Sequence, residues 1–245
     1  MQNKIISIIP ARYNSTRFKA KLLYKVSNKS ILQHTFESVK KVNILDDIFI
    51  ATEDEIIKEE CSNFNANCIM TSQKPKNGTE RIIEALKNNL ELLDSDIIVN
   101  VQADHPLINE DTINDTVNIL LTDPTAHVST AVTKIDYETA KSENVVKCVF
   151  DKNFNAMYFS RSLIPYSKNF INESYFYHIG IYCYRTKFLL KLNELEILEN
   201  QKKEDLEQLK ILENGFKIKV ALVNDIPQGV DVFEDLKKVE KILCK

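Results

Sequence analysis

The chain has 245 residues and a formal net charge of -3 at neutral pH, and its size suits one α/β domain around a single core. The acidic balance argues against partners that need a basic face, so we expect neither nucleic-acid nor membrane-surface binding. The 5 cysteines are widely spaced without a CxxC pair, which indicates neither a disulfide framework nor a zinc site. Because the apolar start at residues 5–9 is too short for a signal segment and no later run reaches membrane-spanning length, we expect a cytoplasmic protein.

The first half of the chain alternates apolar strand patterns with amphipathic helix patterns. Strands are predicted at residues 5–9, 47–51, 68–70 and 97–101, and helices at residues 31–42, 54–63, 79–90 and 110–121. This alternation is typical of a parallel, doubly wound sheet.

The second half is richer in strand patterns and predicts a mixed sheet. Strands are predicted at residues 128–133, 145–150, 156–160, 178–184 and 217–222, and helices at residues 187–192, 203–213 and 233–243. Gly215 fits the position that follows a helix end. The polar segments 165–173 and 194–203 are predicted to be mobile loops.

A group of hydroxyl and cationic side chains follows the first strand. Its members are Arg12, Ser15, Thr16, Arg17 and Lys21. Loops at the carboxyl ends of parallel strands face the ligand crevice of open α/β sheets. Guanidinium groups form forked hydrogen bonds with phosphoryl oxygens, and a lysine supplies a mobile point charge. The segment therefore predicts a polyanion-binding loop, with a solvated basic turn as the alternative.

The segment NGTER has the pattern of a helix start. Asn77 is predicted to be the N-cap, and Glu80 to reach back to the chain before the helix. Because the chain has only 4 glycines, we expect Gly78 where the backbone adopts a positive φ or approaches a ligand closely. A cap requires neither the glycine nor Arg81, which favours a ligand-binding loop over capping alone.

A series of sequence blocks carries a resemblance to a known family. The blocks are IIPARYNSTR, ATEDE, MTS with NGTER, NVQADHPLI, VKCVFDKN with MYFSRSLIP, HIGIYCYR, EDLEQLKILENG and GVDVFEDL. In this order, over residues 5–240, the chain resembles the cytidylyltransferases that join 3-deoxy-manno-octulosonic acid (Kdo) to CMP. The resemblance implies a single α/β domain of the nucleotide-diphospho-sugar transferase type, with a doubly wound, mostly parallel mixed sheet. It also implies a nucleotide-binding half (1–125), a sugar-binding and dimerising half (126–230) and a closing helix (231–245).

The resemblance implies a pocket for CTP in the first half. The implied nucleotide-binding residues are Ala11, Arg12, Ser15, Lys21, Thr71, Ser72, Gly78 and Arg81. The backbone around residues 70–72 and Gly78, with Arg81, is expected to read the edge of cytosine and to exclude purines.

The resemblance also brings Asp104 and Asp231 together as ligands of Mg²⁺, for which two carboxylates suffice because phosphate and water oxygens complete the shell. With Arg12 and Lys21 they form the implied catalytic set. On local sequence alone, Asp104 fits an Asx-turn and Asp231 fits the N-cap of the last helix equally well.

Binding of the sugar acid requires a cation together with groups that donate and accept hydrogen bonds. The resemblance assigns this role to Gln102, Arg161, His178, Glu207 and Gln208. Taken alone, His178 is better explained as a hydrogen-bonded strand histidine, and Glu207 fits a solvated helix face.

The implied reaction is transfer of CMP from CTP to the anomeric hydroxyl of Kdo, which gives pyrophosphate and CMP-Kdo for lipopolysaccharide biosynthesis. Two alternatives remain open: transfer to a related ulosonic acid such as an amino-substituted Kdo, and a catalytically silent nucleotide-binding protein. The resemblance further implies a homodimer with a two-fold contact around residues 128–166.

The chain departs from the family pattern in three places. Lys19 and Ala20 replace the usual Pro-Gly before the loop lysine. The usual Gly-Asp-Glu-Pro reads Ala-Asp-His-Pro, so His105 replaces an acidic neighbour of Asp104. Residues 198–201 lack the usual acidic, proline-bearing segment. For His105 we consider metal coordination and contact with the sugar, and favour an orientation away from the site that stabilises the following turn.

Overall fold

The computed structural model describes residues 3–13, 18–168, 174–224, 226, 228–230 and 232–243. The chain divides into two compact units, of which unit 1 is Met1–Asn114 with Pro227–Lys245 and unit 2 is Asp115–Ile226. The single domain with boundaries after residues 125 and 230 stays a prediction. No helix within the described ranges is both long enough and apolar enough to cross a membrane.

The elements follow one another along the chain as a mixture of strands and helices. In order they are β1 (Ile5–Pro10), β2 (Lys25–Val26), β3 (Lys29–Ser30), α1 (Ile31–Lys40), β4 (Asp47–Thr52), α2 (Glu55–Asn63), β5 (Asn67–Met70), α3 (Gly78–Asn88), β6 (Ile97–Asn100), α4 (Glu110–Thr122), β7 (Val128–Ile135), α5 (Tyr137–Ala140), β8 (Lys147–Phe150), β9 (Ala156–Ser160), β10 (Tyr175–Arg185), α6 (Thr186–Lys191), α7 (Glu199–Glu204), α8 (Gln208–Glu213), β11 (Lys219–Val223) and α9 (Phe233–Leu243). Short 3₁₀ turns occur at Lys21–Leu23, Leu90–Leu92 and Leu192–Glu194.

The sheet of unit 1 is parallel, as the alternation of the sequence predicts. β1 lies between β4 and β6, so that Ser7 is opposite Ile48 on one side and Val99 on the other, and β4 continues the sheet to β5. Every residue of β1 before Pro10 is buried, as expected of a β-branched run in the middle of a parallel sheet. Because all these strands are parallel, the loops that follow them emerge at one edge of the sheet.

The sheet of unit 2 is mixed, which also agrees with the sequence. β7 pairs in parallel with β11 and antiparallel with β10, and β8 pairs antiparallel with β10 and β9. β10 contains an irregularity between Ile179 and Tyr182, where its register against β7 shifts. The sequence analysis missed the β2–β3 hairpin, whose two-residue turn places Ser27 and Asn28 at φ 49° and 65°.

The predicted helix over residues 203–213 is wrong. The structure has two short helices there, α7 and α8, because Asp205 adopts the left-handed conformation with φ 53° and ends α7. The predicted loop over residues 194–203 is also wrong in part, because α7 already begins at Glu199. Of the other predicted loop, residues 165–168 are irregular and residues 169–173 lie outside the described part of the chain.

Two predicted helix boundaries are confirmed by their hydrogen bonds. The side chain of Asn77 accepts a bond of 2.8 Å from the Glu80 amide, and the Glu80 carboxylate reaches back to the amide of Lys76 at 2.8 Å. Gly215 has φ 81° and follows α8, where the amide of Gly215 donates to the Leu212 carbonyl. The amide of Phe216 then donates to Ile211, which completes a Schellman motif.

Candidate functional site

Loops that leave the carboxyl edge of the unit 1 sheet are bonded to one another. The amide of Ala11 donates to the Ala51 carbonyl at 2.8 Å, and the amide of Thr71 donates to the Thr52 carbonyl at 2.8 Å. Arg12, which is exposed, donates from its guanidinium to the Pro75 carbonyl at 3.2 Å. The loop after β1 is therefore held against the loop after β5.

Lys21 joins three segments that are far apart in the sequence. Its Nζ donates to Asp104 Oδ2 at 2.5 Å and to the Val230 carbonyl at 2.8 Å, and the Val230 amide donates to the Asp104 carbonyl at 2.9 Å. Lys21 begins a 3₁₀ turn directly after Ala20, which has φ 56° and is left-handed. The structure thus brings together two of the predicted catalytic residues, and we call this arrangement the Lys21–Asp104 cluster.

The Asp104 carboxylate is kept ionised. Burial alone would raise its pKa, but the electrostatic interactions with His105 and Lys21 and the hydrogen bond from Lys21 lower the pKa further than burial raises it. A charged carboxylate whose side chain is still 23% exposed provides the hard oxygen donor that Mg²⁺ prefers. Asp231, the second predicted metal ligand, lies outside the described residues, as do Ser15, Thr16 and Arg17.

His105 lies beside the cluster, so the prediction that it faces away is wrong. Its Nε2 is 3.9 Å from Asp104 Oδ1. Its ring also packs against Gly229, where an added Cβ would be 3.1 Å from both the Cδ2 and Nε2 atoms of the ring. The His105 ring therefore requires a glycine at position 229, in the segment before α9. The His105 carbonyl accepts a bond from the Ile108 amide at 3.1 Å, which closes the turn at Pro106.

Arg81 is buried and bonded to the segment after β5 that the resemblance assigns to binding of the base. Its side chain is only 1% exposed, and it forms an ion pair with Glu53 at 2.5 Å. The same NH1 donates to the Thr71 hydroxyl at 2.6 Å and to the Ser72 carbonyl at 3.5 Å. Burial lowers the pKa of Arg81, and the opposing charge of Glu53 offsets this decrease only in part.

Sequence analysis missed Glu53 as a site residue, although it lies in the ATEDE block after β4. The amide and the hydroxyl of Ser72 also donate to Glu84, the latter at 2.9 Å.

Gly78 does not have a positive φ, which is one of the two explanations expected for this glycine, and the close approach to a ligand stays a prediction. Among the glycines of the described residues, only Gly215 has a positive φ. An added Cβ at Gly78 would lie 3.0 Å from Pro10 Cγ, so the start of α3 packs directly on the end of β1. The requirement for glycine is steric, and it fixes the distance between the loop after β1 and the helix that carries Arg81.

His178 is a buried, neutral strand histidine in unit 2. It is 7% exposed, its Nε2 is 3.0 Å from the Thr130 hydroxyl, and burial lowers its pKa to about 3. Its ring centroid is 5.4 Å from that of Tyr182. The pKa of Tyr182 is raised by burial, then by Tyr184 and by the charge of Glu207. The block HIGIYCYR contained Tyr182, but its residue type alone did not single it out.

Arg161 is held by a carboxylate that the sequence analysis did not identify. Glu204 accepts from the Ser160 hydroxyl at 2.6 Å and from the Arg161 amide at 2.9 Å, and its carbonyl accepts from Arg161 Nε at 2.9 Å. Lys147, which is fully buried, donates to the Arg161 carbonyl at 2.6 Å. Gln208 is buried and Glu207 is exposed at the start of α8. Gln102, the remaining predicted sugar-binding residue, is half-buried in unit 1.

Comparison with known protein families assigns the class of the chain. Residues 6–219 match the family model described as Cytidylyltransferase. The chain is therefore a nucleotidyltransferase, as the resemblance of its sequence blocks implied.

Similarity to individual proteins identifies the family within the nucleotidyltransferases. The chain is 46% identical over 249 residues to a 3-deoxy-manno-octulosonate cytidylyltransferase of Protochlamydia amoebophila, with 100% of this chain and 96% of the relative covered. It is 44% identical over 245 residues to the mitochondrial enzyme of that name from Arabidopsis thaliana, with 99% and 84% covered. A solved CMP:2-keto-3-deoxy-manno-octonic acid synthetase in complex with CTP has a TM-score of 0.93 at 31% identity, and 99% of each chain is covered. The chain belongs to the 3-deoxy-manno-octulosonate cytidylyltransferase family, and the predicted fold class is confirmed.

Proposed function

We propose that this protein transfers CMP from CTP to the anomeric hydroxyl of Kdo, with release of pyrophosphate. The observation that carries the proposal is the Lys21–Asp104 cluster, which brings together a cation after β1, a carboxylate after β6 and the backbone of Val230 before α9. A cation and an ionised carboxylate side by side suit a reaction in which phosphoryl charge must be neutralised next to a metal-binding oxygen. Family membership supports the same reaction.

The reaction needs alignment and charge neutralisation rather than a covalent enzyme intermediate. The anomeric oxygen of the sugar forms a bond to the α-phosphorus while the bond to the pyrophosphate oxygen breaks, and the hydroxyl proton leaves to solvent. Arg12 supplies a guanidinium for phosphoryl oxygens, and Lys21 supplies a charge held in place by Asp104 and Val230. Fixed cations of this kind stabilise the charge that develops on the transferring group.

The donors present fit a Mg²⁺ ion. The described residues contain no group of three or more His, Cys, Asp or Glu side chains that could hold a metal by themselves. Mg²⁺ needs only one or two carboxylates when triphosphate and water oxygens complete its shell. Asp104 would provide one carboxylate, and Asp231, which follows Val230, the other. When bound, the ion supplies positive charge to the attacking hydroxyl and to the triphosphate.

The buried Arg81 network supports selectivity for a small base. Because Glu53 and Thr71 hold the guanidinium, the backbone of residues 71 and 72 has a fixed orientation at the end of β5. Fixed backbone groups discriminate better than mobile ones, because an unmatched base leaves them unpaired. We therefore expect CTP to be preferred strongly over ATP and GTP, with UTP as the nearest competitor.

The sugar-binding groups of unit 2 suit a polyhydroxylated acid. Arg161 provides a cation for the carboxylate, and the neutral His178, whose Nε2 is bonded to Thr130, adds its other ring nitrogen. Glu207 and Gln208 of the same unit add polar groups for hydroxyls. We also propose that the protein acts in the cytoplasm as a homodimer and supplies CMP-Kdo for lipopolysaccharide biosynthesis.

The proposal is tested by measuring pyrophosphate release with each nucleotide and several sugar acids. We expect release with CTP and Kdo that exceeds release with an amino-substituted Kdo or a nonulosonic acid. A higher rate with one of those acids would move the assignment to that substrate. Equal turnover of ATP and CTP would refute the base-selective pocket, and no release with any pair would identify a silent nucleotide-binding protein.

A further inference from the structure

Lys147 is a buried cation of unit 2 that the proposed reaction does not use. It is the first residue of β8 and is 0% exposed. Its backbone lies opposite Ser160 of β9 and opposite Tyr177 of β10. Transfer of an ammonium group out of water is costly, and an apolar residue of similar volume at such a position is often neutral or stabilising. Stability alone therefore explains a lysine at this position poorly.

The Lys147 ammonium group joins two segments that flank the β8–β9 hairpin. Its Nζ donates to the Ser142 carbonyl at 2.9 Å and to the Arg161 carbonyl at 2.6 Å. Ser142 lies between α5 and β8, and Arg161 directly follows β9. Burial lowers the pKa of Lys147, and the charges of Glu204 and Glu143 oppose this shift, so two carboxylates partly replace the water that the ammonium has lost. A lysine makes both bonds at once because its ammonium carries three donors, whereas an apolar side chain makes neither.

The guanidinium of Arg161 is bonded to the same turn that Lys147 holds. Its Nη1 donates to the Glu143 carbonyl at 3.3 Å, and its Nε donates to the Glu204 carbonyl at 2.9 Å. Since Glu143 follows Ser142, the Lys147 bonds set the distance between the backbone of Arg161 and the turn that its guanidinium contacts. The Arg161 amide is held separately, by the Glu204 carboxylate at 2.9 Å. Loss of the Lys147 bonds would therefore let the guanidinium shift while Glu204 keeps the backbone in place.

We propose that Lys147 is a positioning residue for the sugar acid, because it holds the turn at residues 142–143 against Arg161 and so orients the guanidinium for the substrate carboxylate. The inference rests on the proposed function, in which Arg161 receives that carboxylate. A guanidinium and a carboxylate bind through two parallel hydrogen bonds, and such a pair depends on orientation. A misdirected guanidinium weakens binding of the charged substrate but not of one that lacks the carboxylate. Lys147 is buried, so it acts through Arg161 and does not contact the substrate.

The test compares Lys147→Met with Lys219→Met in pyrophosphate release from CTP with Kdo and with its methyl ester, in which the carboxylate charge is absent. Lys219 is a matched control, since it is a strand lysine of the same unit and donates to the Asn153 carbonyl at 3.1 Å, before β9 rather than after it. We expect the KM for Kdo to rise about tenfold in Lys147→Met, with kcat and the KM for CTP unchanged. Because kcat/KM for the ester should not change, the preference for Kdo over its ester should fall about tenfold. Lys219→Met should keep the wild-type preference.

Equal losses with Kdo and with the ester in Lys147→Met would overturn the inference, because a general disturbance of the fold affects both substrates alike. An unchanged KM for Kdo in the folded variant would refute it too. Methionine at this buried position can prevent folding, so Lys147→Gln provides the second variant: its shorter side chain keeps N–H donors but does not span the two carbonyls, and it must show the same loss of preference. If the wild type releases no pyrophosphate with any sugar acid, the proposed function itself fails. If it does, and both Lys147 variants keep the wild-type preference, only the inference fails.

Discussion

Ala20→Gly should stabilise the protein at the point where its sequence departs from its family. Ala20 has φ 56° and ψ 22°, in the left-handed region that glycine adopts freely. An L-residue there costs about 1–2 kcal/mol because its Cβ crowds the following carbonyl. Glycine removes this cost but loses about 0.5–1 kcal/mol more in backbone entropy on folding. The net gain in the free energy of unfolding is therefore about 0.5–1 kcal/mol, or a rise in melting temperature of about 2 °C.

The measurement is thermal unfolding of Ala20→Gly beside a matched control, Ala85→Gly. Ala85 is buried within α3, where glycine costs about 1 kcal/mol of helix propensity, so the control should melt at a lower temperature than the wild type. The two substitutions delete the same methyl group and should act with opposite signs. A decrease in melting temperature for Ala20→Gly equal to that of the control would show that the left-handed conformation of Ala20 carries no strain.

Three further predictions concern Glu53, Glu204 and His178, which are buried or partly buried. Glu53→Gln removes the charge that pairs with the buried Arg81 guanidinium, so the KM for CTP should rise about tenfold while the KM for Kdo stays unchanged; an equal rise in both would indicate general unfolding. Glu204→Ala should raise the KM for Kdo about tenfold, because it removes two hydrogen bonds that hold Ser160 and Arg161, whereas the exposed Glu199→Ala should not. The folded-state pKa of His178, about 3, is below its ordinary value of 6.5, so the unfolded chain binds the proton more tightly and stability falls as the pH drops below 6.5. Wild type should lose about 1.5 kcal/mol between pH 6.5 and 5 that His178→Asn does not lose, as measured by denaturant unfolding; parallel curves would contradict a neutral buried ring.

Local patterns of the sequence predicted the elements that depend on local physics. The β-branched run of β1 is a buried central strand, and the glycine after α8 has the positive φ that its position required. The Asn77 cap is formed as its residue type predicts. These features depend on backbone propensity and on hydrogen bonds within a few residues, so a short stretch of sequence is enough to predict them.

The remaining features depend on contacts between distant segments. The helix predicted over residues 203–213 breaks where Glu204 bonds to Ser160 and Arg161, more than forty residues earlier in the chain. His105 lies against Gly229, and no local pattern around either residue indicates this contact. Lys21 could be chosen as a cation, but its bonds to Asp104 and Val230 exist only in the folded chain. Residue types thus identified the candidates, and tertiary structure decided how they are arranged.

The most direct test of the account is the rate of CTP- and Kdo-dependent pyrophosphate release in Asp104→Asn at ordinary Mg²⁺, compared with Asp111→Asn. Asp104 belongs to the Lys21–Asp104 cluster, whereas Asp111 is exposed in the first turn of α4, so both variants lose the same charge in different places. We predict that kcat/KM falls by about 100-fold or more in Asp104→Asn, that excess Mg²⁺ partly restores it, and that Asp111→Asn keeps the wild-type rate. A wild-type rate in Asp104→Asn, with both proteins folded, would contradict the assignment of the cluster as the catalytic centre.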